Sequence, residues 1–178
     1  IFKEVFNDAA RSGVRIDLEF EPATAERLNQ AFSSDRHMIH LSCHGHPEYL
    51  AIESGWGALQ PLCPQDIKEM VAIGRGGLQV VFVSCSHSRN IGQAFVDAGI
   101  RHVICCHQGH HFKDVVAHHF AKTLYQHLNF GETLKLAYAM AQASVLDSPP
   151  HGFLMEIQKY ILLPERPDSD PYHAVILA

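Results

Sequence analysis

The sequence predicts an α/β protein whose mostly parallel sheet is flanked by helices. Strand-like segments alternate with helical ones through short connections, the pattern of parallel strands joined by crossover helices. Leu78 to Ser84 is an apolar run of the type buried on both faces of such a sheet. The chain has 178 residues, 47% of them hydrophobic and 19% charged, which is room for one ordinary core and too apolar for disorder.

The elements follow in order. Residues 2–11 read as a helix, and Val14, Ile16, Leu18 and Phe20 alternate with polar residues at the period of a half-buried strand. Pro22 stands at a natural first helical position, and Ala25, Leu28, Ala31 and Phe32 recur at helical spacing. A strand over 37–43 runs into His44, Gly45, His46 and Pro47. Residues 49–53 and 57–62, around the turn residues Ser54 and Gly55, read as a hairpin. Pro64 then opens a helix that Gly74 closes. The strand over 78–84 ends at Cys85; a helix over 90–98 follows, with Ser88 as its N-cap and Gly99 as its stop. A strand over 101–106 and helices over 112–128 and 132–146 complete the pattern, and Pro149-Pro150 ends it. Residues 1–148 are therefore expected to form the domain. Residues 149–178, where the apolar segments 160–163 and 174–177 flank a turn-rich stretch, are expected to be an edge hairpin or the start of a linker.

Composition narrows the function classes. A net charge of −5 with no Lys/Arg run longer than two provides no footprint for a phosphate backbone, so nucleic acid is not an expected partner. No apolar stretch reaches bilayer length and the N-terminus lacks a secretory signal, so a soluble, cytoplasmic protein is expected without membrane contact. The 5 cysteines are odd in number and two are adjacent, Cys105 and Cys106, which argues for reduced thiols rather than a disulfide framework. A chain that starts at Ile1 rather than Met is expected to be part of a longer protein.

Chemistry is expected where strands end. In an open parallel sheet the C-terminal strand ends share one edge, and ligands bind in the crevice there. One strand delivers His44 to that edge and another delivers Cys85. If the two strands are neighbours, the imidazole converts the thiol into the thiolate that attacks carbonyl carbon. Gly45 lets a backbone N–H approach the reacting centre, and with the N–H of Cys85 it makes an oxyanion hole. The competing reading is structural: buried free cysteines are common strand-end residues, and His44 is one of 14 histidines.

The segments His40 to Gly45 and Val83 to Ser88 resemble the paired His-Gly and Ser-Cys elements of caspase-like cysteine peptidases, and more narrowly those of the CHAT domain. The resemblance continues through Ile91 to Ile104, which match the family's helix, Ala-Gly turn and next strand, and through Asp114, Phe120 and Tyr125 to the helix over 131–142. It implies a caspase-like fold, with the family's first strand missing from the N-terminal end of this chain. It also implies a cysteine endopeptidase in which His44 is general base and acid and Cys85 the nucleophile, with the Gly45 and Cys85 N–H groups as oxyanion donors. No cofactor is implied. The expected partners are a protein substrate, such as a pore-forming or other effector protein, and regulatory domains or subunits beyond this chain. The alternative within the family is a catalytically silent interaction domain.

Other residues hold rival readings. His46 and His87 crowd the two motifs; His44 is preferred as the acting imidazole because glycine follows it, and His46 and His87 join Asp114 as candidate substrate-pocket residues. Glu48 is a candidate to orient the imidazole, and Asp114 is also explained by the dipole of the helix it opens. The cluster Cys105, Cys106, His107, His110, His111, His118 and His119 invites a zinc hypothesis, but no cysteine pair has zinc-site spacing, so no metal site is expected. Cys43 is expected in the core and Cys63 at a helix start. Trp56 is expected to pack the hairpin or cover the site's edge.

Overall fold

The computed structural model describes residues 18–74, 76–107, 114–146, 159–167 and 169–177. The helix expected over 2–11 lies outside them, as do residues 14–17 of the strand that follows; Leu18, Glu19 and Phe20 are in no regular element. Two compact units are present: residues 21–111 with 159–165, and residues 112–158 with 166–178 together with the N-terminal twenty.

The first unit is built on a four-stranded sheet in the order β1 (Met38–Leu41), β5 (Val80–Val83), β6 (His102–Cys106), β7 (Tyr160–Leu163). The β1/β5 and β5/β6 pairs are parallel and β7 runs antiparallel to β6, so the sheet is mixed and mostly parallel. All four residues of β5 are fully buried, as the apolar run requires. One face carries Ile39, Leu41, Val81, Val83, Val103, Cys105, Ile161 and Leu163 into the main core. The other carries Val80, Phe82, Ile104, Cys106 and Tyr160, each at most 2% exposed.

Three helices supply the rest of that core. Helix α1 (Ala25–Phe32) contributes Leu28 and Phe32, α2 (Pro64–Ile73) Ile67, and α3 (Arg89–Asp97) Ile91, Ala94 and Phe95. Helix α1 starts later than Pro22 suggests because Thr24 accepts the Arg27 N–H at 3.2 Å and caps it. Cys63 is the N-cap of α2, with its backbone N–H donated back to Asp66 at 2.8 Å, the reciprocal half of a capping box. A second, three-stranded sheet consists of β2 (His44–Gly45), β3 (Leu50–Glu53) and β4 (Leu59–Leu62), all antiparallel. Trp56, at the β3–β4 turn, is 97% exposed; it neither packs the hairpin nor covers anything.

The second unit contains α4 (Asp114–Asn129) and α5 (Leu134–Leu146). Phe120 meets Tyr138 edge-on at 5.8 Å, and Gly131, at φ 75°, turns the chain between the helices. Beyond α5, the Leu134 N–H is accepted by Val175 at 2.8 Å, which pins the C-terminal segment. Residues 174–177 form no strand, and β7 pairs with β6 rather than with them. No helix among the described residues is long and apolar enough to cross a membrane.

Candidate active site

Two adjacent strand ends build the site. Strands β1 and β5 pair from Met38 with Val80 to Leu41 with Val83, and the Ser84 N–H extends the ladder to the Leu41 carbonyl at 2.8 Å. The chains then part. After Cys43 the first leaves the sheet and enters β2, where His44 and Gly45 pair with Ala51 and Leu50. The second folds into a tight turn, Cys85 to Ser88, and starts α3.

Gly45 is required where these paths touch. A Cβ at this position would collide with the Ser86 carbonyl oxygen and lie 2.9 Å from the carbonyl carbon and 3.3 Å from the nitrogen. Backbone meets backbone, which no other residue type allows without displacement. The His-Gly segment is thus pressed against the residue that follows Cys85, at the C-terminal edge of the parallel strands.

The turn at Cys85 is held from inside. His87 has φ 57°, a left-handed conformation that costs a non-glycine residue about 1–2 kcal/mol. Ser88 is fully buried; its hydroxyl donates to the Cys85 carbonyl at 2.8 Å and accepts the Cys106 N–H at 2.9 Å. Ser88 flanks α3 as expected but makes no side-chain cap bond to it, because its hydroxyl is spent tying the turn to β6. On the other side, Asn90 donates to the Pro47 carbonyl at 3.0 Å and anchors the loop after His44 to the start of α3.

Cys85 is 5% exposed, whereas His44 is exposed. The Cys43 sulfur is the neighbour that acts most strongly on the Cys85 thiol, and His44 is not among the groups that shift it. The neighbouring Cys43 sulfur and burial both push the Cys85 thiol far up, so it keeps its proton. Cys43 is half-buried at the rim of the core, and the neighbouring Cys85 lowers its pKa. The motifs therefore meet through Gly45 and Ser86, while the Cys43 sulfur, and not the expected imidazole, acts on the Cys85 thiol. Cys43 is the residue that sequence reasoning placed only in the core. The signal was the repeated Ser-Cys dipeptide, Ser42-Cys43 and Ser84-Cys85, at the ends of the two strands.

The remaining candidates separate. The His46 ring stacks on Tyr49 at 4.3 Å and accepts the Glu48 N–H at 3.2 Å, which occupies it in the loop's own turn. Glu48 is exposed. His87 is half-buried in the Cys85 turn. Asp114, exposed at the first residue of α4, belongs to the other compact unit. Among the described residues no three His, Cys, Asp or Glu side chains converge as metal ligands would; His110 and His111 lie outside them. Cys105 and Cys106 are small core residues of β6, and burial pushes the Cys105 thiol up to about 12.

A mostly parallel sheet flanked by helices, with His-Gly and Ser-Cys segments at adjacent strand ends, defines a caspase-like α/β domain. The chain matches the CHAT domain over residues 5–173. It belongs to that family. No curated protein matches the chain.

Proposed function

We propose that this domain is a cysteine endopeptidase that hydrolyses peptide bonds of a protein partner. The observation that carries the reading is the contact of Gly45 with the Ser86 backbone, which brings the two family motifs together at the strand edge where α/β proteins do their chemistry. In this reading Cys85 attacks the scissile carbonyl after giving its proton to His44. The Gly45 and Cys85 N–H groups receive the oxyanion, and His44 protonates the departing amine. Water, activated by His44, then cleaves the thioester. Because the Cys85 thiol is buried against Cys43, catalysis requires the His44 imidazole to take the place of that sulfur beside it. The domain is accordingly the regulated module of a larger protein, and a partner or a neighbouring domain supplies the trigger.

A second reading, a catalytically silent interaction domain, is favoured by the protonated, buried state of Cys85 and its lack of a hydrogen bond to His44. One experiment separates them. Candidate partner proteins are incubated with the activated full-length protein and with its Cys85→Ala form, and new fragments are identified by N-terminal sequencing. Fragments that appear only with the unmodified protein support the peptidase and report its cleavage preference. Undiminished cleavage by Cys85→Ala rules out Cys85 as nucleophile; the absence of cleavage, with no labelling of Cys85 by a thiol-directed peptide probe, favours the silent domain.

A further inference from the structure

Strand register, and not only proximity, makes Cys43 and Cys85 partners. Every pair between β1 and β5 differs by 42 in residue number, from Met38 with Val80 to Leu41 with Val83. The bond from the Ser84 N–H to the Leu41 carbonyl at 2.8 Å closes the last of these pairs. Cys43 and Cys85 each follow the last pair, Leu41 with Val83, by two residues, which keeps both on the face those two present to the core. The paired strands that they follow lie about 4.8 Å apart, within the roughly 4.4–6.8 Å between Cα atoms that a disulfide spans. Both side chains also face the same core, Cys85 inside it and Cys43 at its rim. Each thiol shifts the titration of the other, Cys85 upward and Cys43 downward.

We propose that Cys43 and Cys85 are a reversible redox pair, joined as a disulfide by a hydroperoxide and separated by a thiol reductant. Cys43 reacts first, because it is half-buried while Cys85 is 5% exposed. Its thiolate, favoured by the neighbouring Cys85, attacks the terminal oxygen of the hydroperoxide. The O–O bond breaks, two electrons pass from sulfur to the peroxide, and an alcohol (or water, from hydrogen peroxide) leaves with a proton from solvent. The sulfur is now a sulfenic acid. Cys85 attacks that sulfur; the S–S bond forms as the S–O bond breaks, and hydroxide departs with the Cys85 proton as water. A thiol reductant returns two electrons by exchange through a mixed disulfide. Neither residue lies in a regular strand.

The other cysteines are placed differently. Cys105 and Cys106 are fully buried in β6, and Cys106 points to the opposite face, with its sulfur 4.0 Å from the Val83 carbonyl. Cys63 caps α2. The formation of the disulfide is independent of enzymatic activity. Its consequence, that oxidation removes the nucleophile and reduction restores it, rests on the proposed peptidase function.

The test is a titration of the reduced protein with hydrogen peroxide, followed by non-reducing peptide mapping with fragmentation that distinguishes Cys43 from Cys63. The expected product is a Cys43–Cys85 link that dithiothreitol reverses, with iodoacetamide labelling of Cys85, carried out after denaturation without reductant, falling at least about tenfold as it forms. In Cys43→Ser no link to Cys85 forms, and a peroxide-treated sample keeps no dithiothreitol-reversible block. A Cys85–Cys106 link, or Cys85 labelling that peroxide leaves unchanged, overturns the proposal. If the link forms and reverses in a protein without any cleavage activity, the redox pair stands and the peptidase reading fails.

Discussion

The ends of β1 and β5 carry the same dipeptide in register and do opposite things with it. After Ser42-Cys43 the chain runs out into β2 and leaves His44 exposed. After Ser84-Cys85 it curls into a turn held by a fully buried serine and a left-handed histidine. The difference lies in the residues that follow. Gly45 can lie flat on Ser86 and continue as strand, whereas Ser88 has a hydroxyl able to satisfy the Cys85 carbonyl and the Cys106 N–H together. One end is thus free to present an imidazole, and the other is fixed to hold a thiol.

The comparison breaks most completely at its contact point. Gly45→Val places side-chain atoms where the Ser86 carbonyl lies, so one of the two backbones must move. The expected cost is about 3 kcal/mol, measured by urea unfolding, and any cleavage activity is lost with it. A variant of unchanged stability would show that the two strand ends do not touch in solution.

The next effect is on the buried side alone. Ser88→Ala leaves the Cys85 carbonyl and the Cys106 N–H without the hydroxyl that joins them, at an expected cost of about 2 kcal/mol. Because the turn loosens rather than the exposed end, alkylation of Cys85 should accelerate while the accessibility of His44 is unchanged. Equal rates for the variant and the parent would mean that Ser88 does not fix the turn.

The effect that is smallest at neutral pH, and grows only in acid, lies one residue pair back along the ladder. His40 and Phe82 are register partners whose rings stack at 4.3 Å, and burial pushes the imidazole down to about 4. Between that value and the unfolded value near 6.5, the unfolded chain binds a proton that the folded one does not. The contribution is therefore whole above pH 6.5 and is lost as pH falls towards 4, with a slope of at most ~1.4 kcal/mol per pH unit. Denaturant midpoints recorded across this range should show the slope in the parent and a shallower one in His40→Leu.

Much of this was legible in the residue pattern. The apolar run at β5, the hairpin of β3 and β4, the cap at Cys63 and the helices at α2 and α3 all follow from local periodicity and capping chemistry, which act over a few residues. The motifs around His44 and Cys85 mark the two strand ends that Gly45 and Ser86 bring into contact. Less legible was the start of α1, where a Thr24 cap outweighed Pro22, and the fate of Trp56, whose exposure depends on what lies beyond the hairpin tip.

The sequence by itself determined the α/β class, the order of the elements and the family to which the motifs point, because each is written in short-range spacing. Only the tertiary structure decided that Cys43 rather than His44 acts on the Cys85 thiol, that Ser88 bonds across to β6 instead of capping its helix, and that β7 closes the sheet antiparallel to β6. Those contacts join residues 18 to 60 positions apart. Their partners are set by which strands lie side by side and in what register, and no local periodicity records that choice.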